Sequence, residues 1–247
     1  MQDESPFKPL AGKVAIVTGA GRGLGEAVCQ TFAAAGASVV PADLRFDLVE
    51  KVAMEAQVAG AESMPLRLDV ADEDEAEQAI QVTIAKFGRL DILVNNAEVD
   101  ASLSIEDLTI SEWDHVLGVN LRGAFLMSRF ALPVMREHHS GSIVNIVSSD
   151  AAHGWANASA YHASKWGLLA FSRALNVEGR HYGIKVASLL TGGMRTPLLL
   201  EHGAGVDLST LQDPRNVARA VLFVVTLPDE TVIPELTVLP MGETSWP

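Results

Sequence analysis

The sequence is poor in the features that mark several classes of protein. Its 247 residues include one cysteine, Cys29, so an intrachain disulfide is excluded, and a buried structural thiol is expected. Lysine and arginine total 18 against 31 acidic residues, a net charge of −13, and no basic stripe is present to contact nucleic-acid phosphates. The same charge disfavours an anionic membrane surface, and no apolar run approaches the roughly 18 residues of a membrane span. We therefore expect neither a nucleic-acid nor a membrane partner.

Signals for targeting, metal binding and disorder are also missing. The first residues lack the basic and apolar regions of a secretory signal, so a cytoplasmic location is expected. His138 and His139 are adjacent near a predicted helix end, which is not a metal-ligand spacing, and we expect no metal. Hydrophobic residues make up 48% of the chain, which excludes wholesale disorder. Residues 1–12 are predicted to form a flexible tail.

Short apolar runs alternate along the chain with segments of helical periodicity. The predicted strands are 14–18, 37–42, 64–69, 90–96, 141–148, 184–190 and 235–239. The predicted helices are 23–35, 46–59, 73–87, 111–137, 160–180 and 214–227. Strands that are apolar throughout and alternate with helices indicate a parallel sheet covered on both faces, and right-handed crossovers make it doubly wound. We predict one α/β domain over 1–247, with about seven strands.

A glycine-rich turn follows the first predicted strand. The sequence Thr18-Gly-Ala-Gly-Arg-Gly-Leu-Gly25 lies between that strand and a helical pattern. Glycines permit a tight bend, so backbone N–H groups and a helix N-terminus can bind a pyrophosphate. Asp43 ends the next strand, where dinucleotide folds have the acid that binds the adenosine ribose. This carboxylate repels the 2′-phosphate of NADP and favours NAD; the alternative is that Arg22 or Arg45 binds that phosphate.

Tyr161 and Lys165 are four positions apart in a predicted helix, so their side chains share one face. At about 4 Å, an ammonium favours a phenolate by roughly 4 kcal/mol at an effective dielectric near 20. That interaction lowers the pKa of a tyrosine from about 10 towards neutrality, where it serves as a general acid or base. Ser148 ends an apolar strand, where open α/β sheets bind ligands. The alternative is a surface Tyr and Lys on an amphipathic helix.

Two predicted helices carry more apolar residues than one buried face needs. Phe125 and Phe130 in 111–137, and Trp166 and Phe171 in 160–180, extend beyond a single stripe. A second buried face predicts a homo-oligomer. The alternative is a large internal core with ordinary exposed apolar residues.

Together these motifs resemble the short-chain dehydrogenase/reductase family from about Leu10 to Leu239. The resemblance rests on the glycine turn, Asp69-Val70, Asn95-Asn96-Ala97, Asn120, Ser148, Tyr161-x-x-x-Lys165 and Thr191-Gly-Gly-Met-Arg-Thr196. It implies a Rossmann-like fold, a tetramer, and an NAD(P)-dependent oxidoreductase acting on a small-molecule alcohol or carbonyl.

The resemblance also implies roles for individual residues. Tyr161 would be the general acid in reduction and the base in oxidation, and Lys165 would lower its pKa and hold the nicotinamide ribose. Ser148 would bind the substrate oxygen, and Asn120 would support a water that relays protons to Lys165. The cofactor would contact Tyr161 and Lys165 together with Gly19, Arg22, Gly23, Leu24, Asp43, Asp69, Val70, Asn96, Ala97, Thr191, Gly192, Met194 and Thr196. For Asp69 the alternative is an N-cap of the following helix.

The substrate region departs from the family pattern. Glu98 stands where the family usually has glycine, and it would narrow the pocket, repel acidic substrates or attract a cationic one, or else point to solvent. Asp150, His153 and Trp155 lie between Ser148 and Tyr161 and are expected to face the substrate, and 197–212 is expected to form a lid. Two alternatives to an NAD-linked dehydrogenase remain: an NADP-dependent reductase such as a 3-oxoacyl-type carbonyl reductase, and a non-catalytic dinucleotide-binding scaffold.

Overall fold

A seven-stranded parallel sheet forms the centre of the computed structural model, which describes residues 8–149, 155–197, 199 and 207–242. The strands are β1 Val14–Thr18, β2 Ser38–Asp43, β3 Leu66–Arg67, β4 Ile92–Asn95, β5 Gly141–Ser148, β6 Ile184–Thr191 and β7 Glu235–Val238. Their order in the sheet is β3-β2-β1-β4-β5-β6-β7, and every pair is parallel. The prediction of a doubly wound parallel sheet is confirmed.

Helices cover both faces of this sheet. They are α1 Gly23–Ala34, α2 Phe46–Val58, α3 Glu73–Phe87, α4 Ile110–Leu117, α5 Ala124–Glu137, α6 Ser159–Arg180 and α7 Pro214–Val225. Alternate residues of a strand point to opposite faces. In β1, Val17 packs in a core with α1, α2 and α7, whereas Ile16 packs in a core with α3, α5 and α6. Cys29 is buried in the first of these cores, and burial raises the pKa of its thiol.

The chain order reverses between β1 and β4, which are neighbours in the sheet although β2 follows β1 in sequence. Helices that connect strands on either side of such a point diverge and leave a crevice at the carboxyl ends of the strands. Thr18 ends β1, Asp43 ends β2 and Asn95 ends β4, so all three lie at that edge. The fold therefore positions the predicted cofactor residues around one crevice.

The predicted helix 111–137 is wrong as a continuous α-helix. A π-helical turn, Gly118–Gly123, separates α4 from α5. Asn120 is buried within this turn, and a Cβ atom on Gly123 would lie 2.7 Å from Cγ2 of Val70. The π-turn thus lies where the backbone packs closely on Val70 and the amide of Asn120 is buried. Such turns are frequent at functional sites.

The predicted strand 64–69 is also too long, because β3 is limited on both sides. Pro65 has no N–H to donate, and the N–H of Asp69 bonds to Oε2 of Glu75 at 2.8 Å instead of to the sheet. The N-cap of α3 is Asp72, whose side chain accepts a hydrogen bond from the N–H of Glu75 at 2.9 Å. The alternative role of Asp69 as the N-cap is therefore wrong.

Candidate active site

Two glycines of the turn after β1 are required by the backbone. Gly19 has a φ of +62°, and a Cβ atom there would lie 2.7 Å from Cα of Ala97. A Cβ atom on Gly25 would lie 2.8 Å from Cα of Ala20. Backbone atoms cannot move away from a side chain without disturbing the turn. Only glycine therefore lets the turn approach the segment after β4 at Gly19 and the start of α1 approach Ala20 at Gly25.

Asn96 holds the end of β4 against this turn. Its Nδ2 donates to the carbonyl oxygens of Thr18 at 2.9 Å and Gly19 at 3.1 Å. In return, Oγ1 of Thr18 accepts from the N–H groups of Asn96 at 3.0 Å and Ala97 at 3.1 Å. These bonds satisfy backbone groups that leave the sheet at the ends of both strands, so the floor of the crevice is rigid.

A cavity of about 360 Å³ lies at this edge of the sheet. Most of the predicted cofactor residues line it: Gly19, Arg22, Gly23, Leu24, Asp43, Asp69, Val70, Asn96, Ala97, Met194 and Thr196. Further lining residues were not singled out from the sequence: Leu44, Leu48, Leu68, Val99, His115 and Val119. Pro197, the first residue of the predicted lid, also lines the cavity. A sequence signal existed for His115 and Val119, which are four positions apart on the segment leading to Asn120.

Asp43 and Arg45 lie together at this cavity. Oδ2 of Asp43 accepts from the N–H of Gly21 at 3.1 Å, and its Oδ1 accepts from the N–H of Arg45 at 3.0 Å. The guanidinium of Arg45 is 3.0 Å from the carboxylate of Asp47. The cavity therefore contains an oriented carboxylate, whereas the positive charge of Arg45 has an acidic partner.

Tyr161 and Lys165 lie near the start of α6 on one face of the helix, as their spacing predicts. The Nζ atom of Lys165 is 5.5 Å from the centroid of the Tyr161 ring. Lys165 is only 2% exposed, and its Nζ donates to the carbonyl oxygen of Ile146 in β5 at 3.0 Å. A buried ammonium needs a compensating charge.

Glu98 provides that charge. Its Oε2 lies 2.6 Å from Nζ of Lys165, and the same oxygen accepts a hydrogen bond from the hydroxyl of Tyr161 at 3.2 Å. The carboxylate points inward from the segment after β4, and 23% of the side chain remains exposed, at the cavity. Glu98 therefore does not point to solvent, and its contact with the Tyr161–Lys165 pair was not predicted from the sequence.

Asn120 connects the π-turn to both sides of the site. Its Oδ1 accepts from the N–H of Val99 at 2.8 Å, and its Nδ2 donates to the carbonyl oxygen of Val99 at 2.9 Å. Nδ2 also donates to Oγ of Ser164 at 3.0 Å, and that hydroxyl donates to the carbonyl oxygen of Tyr161 at 2.7 Å. One buried amide therefore fixes the backbone next to Glu98 and the first turn of α6.

The family model described as short chain dehydrogenase matches residues 13–206 of this sequence. The chain belongs to the short-chain dehydrogenase family. An uncharacterized oxidoreductase of Staphylococcus aureus (strain N315) is 32% identical over 232 residues, which cover 94% of this chain and 99% of the relative. The trans-4-hydroxycyclohexanecarboxylate dehydrogenase of Sinomonas cyclohexanicum is 34% identical, over 88% of this chain and 87% of that enzyme.

Solved structures agree with this membership. A metagenomic short-chain oxidoreductase in complex with NADP has a TM-score of 0.84 and 30% identity, and the match covers 94% of this chain and 99% of that one. A short-chain type dehydrogenase/reductase from Mycobacterium marinum has a TM-score of 0.89 at 24% identity, over 95% of this chain and 96% of that one, which shows a shared fold.

Other residues of the short-chain dehydrogenase motifs lie away from the cavity lining. Ser148 is buried at the end of β5, in register with Thr191 of β6. Oγ1 of Thr191 donates to the carbonyl oxygen of Val147 at 3.1 Å, and the N–H of Gly192 donates to the carbonyl oxygen of Val238 at 3.0 Å. Among the described residues, the structure thus gives Thr191 and Gly192 contacts that hold neighbouring strands rather than positions on the cavity.

Little of the predicted substrate region of this short-chain dehydrogenase is described. Trp155 is 52% exposed, its N–H donates to Nε2 of His162 at 3.2 Å, and it is not among the described residues that line the cavity. Asp150 and His153 lie outside the described residues. Of the predicted lid, the structure describes 197, 199 and 207–212; of the predicted tail, it describes 8–12.

A nicotinamide dinucleotide fits the residues of this short-chain dehydrogenase. At Gly19 and Gly25 the turn has no room for a side chain, and the N-terminus of α1 supplies N–H groups without partners inside the helix. Asp43 presents its carboxylate to the cavity, as an acid that binds an adenosine ribose would, and Glu98 and Met194 line the same cavity. In the part of the chain that the structure describes, none of the helices has the length and hydropathy of a membrane span, and no cluster of three histidine, cysteine or acidic side chains is arranged to hold a metal.

Proposed function

We propose that this short-chain dehydrogenase transfers a hydride between NAD and an alcohol or carbonyl compound, with Tyr161 as the general acid and base. The observation that carries the proposal is the pairing of Tyr161 with the buried Lys165 on one face of α6. Glu98 touches both residues and lines the cavity, so the pair lies beside the space that fits the cofactor.

The chain's own residues handle the proton. When bound, the cofactor supplies the hydride donor or acceptor. In oxidation, Tyr161 accepts the proton of the alcohol hydroxyl; in reduction, it returns a proton to the carbonyl oxygen. Ser148 donates a hydrogen bond to that oxygen as charge develops on it. Oδ1 of Asn120 retains a lone pair for a water that relays protons towards Lys165.

NAD is the favoured cofactor because Asp43 presents a carboxylate at the cavity while Arg45 is paired with Asp47. The second candidate is an NADP-dependent carbonyl reductase. It is favoured by Arg22 and Arg45 in the cavity lining and by the structural neighbour in complex with NADP. A non-catalytic scaffold has less support, since Asn120, Ser148, Tyr161 and Lys165 are all present.

A small secondary alcohol or ketone is the proposed substrate class. A relative named for a hydroxycyclohexanecarboxylate supports it, because that compound is a small secondary alcohol. We also propose that the chain forms a homo-oligomer through exposed apolar residues of α5 and α6, and the family favours a tetramer. A cytoplasmic location is proposed as well.

The test compares turnover with binding. Tyr161→Phe is expected to lower turnover of secondary alcohols with NAD by roughly 10²–10⁴-fold while calorimetric NADH affinity stays within about twofold. Tyr182→Phe is the matched control, because Tyr182 is the other of the two tyrosines and packs beneath Arg136. Full activity in Tyr161→Phe would contradict the mechanism, and absence of NADH and NADPH binding to the wild type would contradict the proposed cofactor.

A further inference from the structure

We propose that Glu98 is a third ionisable member of the Tyr161–Lys165 pair, and that its carboxylate keeps Tyr161 a phenol to higher pH than Lys165 alone would allow. The proposal rests on the proposed role of Tyr161 as acid and base. It assigns to Glu98 a direct contact with the reacting hydroxyl, at a position where the family usually has glycine.

One carboxylate oxygen makes both contacts. Oε2 of Glu98 is 2.6 Å from Nζ of Lys165 and accepts the hydroxyl of Tyr161 at 3.2 Å. Nζ of Lys165 also lies 5.5 Å from the centroid of the Tyr161 ring, so all three groups are close together. The positive charge of Lys165 is therefore compensated by a carboxylate that is itself hydrogen-bonded to the phenol.

The chain on either side of Glu98 is held in place. The N–H of Ala97 donates to Oγ1 of Thr18 at 3.1 Å. Val99 is held through both its N–H and its carbonyl oxygen by the buried side chain of Asn120, at 2.8 and 2.9 Å. Because both neighbours are anchored, the backbone of Glu98 is held at the place from which its carboxylate reaches Lys165 and Tyr161.

The direction of the electrostatic effect follows from the signs of the charges. An opposite charge stabilises a phenolate and lowers the pKa of a tyrosine, whereas a like charge destabilises it and raises the pKa. Lys165 and Glu98 therefore act on Tyr161 in opposite directions. Removing the charge of Glu98 leaves the lysine effect uncompensated, and Tyr161 should ionise at lower pH.

Other charged groups near the site are the same in the wild type and in a variant changed only at residue 98. Arg22, Asp43, Arg45, Asp69 and His115 line the same cavity as Glu98. Their charges act equally in the wild type and in a variant changed only at residue 98. A difference between the two proteins therefore reports on Glu98.

Tyrosinate absorbance in the near ultraviolet measures the ionisation directly. The protein has two tyrosines, so subtracting the titration of each protein's Tyr161→Phe counterpart isolates Tyr161. We expect the midpoint in Glu98→Gln to lie about one pH unit below that of the wild type. Glu106→Gln, which removes the same charge from an exposed position farther along the segment between β4 and α4, should leave the midpoint unchanged. An equal or higher midpoint in Glu98→Gln would overturn the proposal.

This titration needs neither substrate nor cofactor, so its failure is distinguishable from failure of the proposed function. With an active enzyme, the acid limb of kcat/KM for oxidation should move to lower pH in the same direction. Should Glu98→Gln fail to fold, Glu98→Gly provides the same comparison with the residue usual in the family. Tighter NADH binding with an unmoved Tyr161 midpoint would also overturn the proposal, since Glu98 would then be only a counter-ion that cofactor binding displaces.

Discussion

The carboxylate of Glu98 lies 2.6 Å from the ammonium of Lys165, whose side chain is only 2% exposed. Glu98 follows β4, whereas Lys165 lies in α6, so the ion pair joins two elements of the fold. Removing one partner of a buried pair is costly because it leaves the other charge without compensation. The same contact should therefore affect both stability and chemistry.

Glu98→Gln is expected to lower the free energy of unfolding at neutral pH by about 1–3 kcal/mol, less than for a fully buried pair because Glu98 is partly exposed. Lys165→Met removes the ammonium that Glu98→Gln would leave uncompensated. In the Lys165→Met background, Glu98→Gln should therefore lower the free energy of unfolding much less. Urea unfolding of the wild type, both single variants and the double variant measures the coupling. Losses that simply add in the double variant would show that the pair does not contribute to stability.

Asp43→Ala should change cofactor preference. Without the carboxylate, the 2′-phosphate of NADP is no longer repelled, and the ratio of NADH to NADPH affinity should fall roughly tenfold or more. NADH affinity itself should weaken, because the N–H of Gly21 in the turn loses its acceptor. Calorimetric titration with each cofactor at fixed salt gives the ratio.

Asp47→Ala is the comparison for that experiment, because it removes the partner of Arg45 and leaves Asp43 intact. A larger change of the ratio in Asp47→Ala than in Asp43→Ala would favour the arginine-based NADP alternative.

Asp91 should make stability depend on pH in the acidic range. Burial acts to raise the pKa of its carboxyl, but hydrogen bonds from Arg89 and from the N–H of Val14, with the charge of Lys13, outweigh burial and hold the pKa below its ordinary value of 3.8. A lowered folded-state pKa contributes stability that is present above about pH 4 and is lost as the pH falls through the folded-state value.

Asp91→Asn is therefore expected to cost about 1–2 kcal/mol at neutral pH, and this difference should shrink below about pH 4. Urea unfolding of both proteins across that range measures it. Asp91 lies just before β4, at the amino ends of the strands, whereas the cavity lies at their carboxyl ends. Cofactor affinity should therefore not change. A difference that persists undiminished at the lowest pH would contradict the assignment.

An apolar face should hold copies of this chain together. Phe125 of α5 is 42% exposed, and Trp166 and Val177 of α6 are 50% and 53% exposed. Trp166 and Val177 are three helical turns apart and so share a face. Light scattering is expected to give a multiple of the 26.3 kDa chain mass for the wild type and a smaller assembly for Trp166→Glu. Val58→Glu, at a 90% exposed position of α2, is the matched control.

A wild-type mass of a single chain would contradict this prediction. So would an unchanged assembly in Trp166→Glu.

Several parts of the structure were predictable because their causes are local. The strand and helix order follows from apolar periodicity, and the turn needs glycine at 19 and 25 for reasons of backbone geometry. Tyr161 and Lys165 share a face of α6 because helical spacing requires it. These patterns were sufficient for the parallel sheet and for membership in the short-chain dehydrogenase family, and both predictions are confirmed.

Other features depend on contacts between residues far apart in sequence. The π-turn exists where Asn120 bonds to Val99 and Gly123 packs on Val70, and the helical pattern alone did not predict it. Side-chain periodicity reports which face of a helix is buried, but it does not report how its backbone hydrogen bonds are arranged.

The direction in which the Glu98 side chain points also depends on contacts between residues far apart in sequence. Its sequence position allowed a solvent-facing or an inward side chain, since a carboxylate is stable in water and also beside an ammonium. Only the fold brings the segment after β4 against α6, where the charge of Lys165 is buried and Glu98 compensates it. Local sequence thus determined the helices and strands and the pairing of Tyr161 with Lys165. Tertiary packing decided that the carboxylate of Glu98 contacts both residues, because this contact depends on distances that only the folded chain creates.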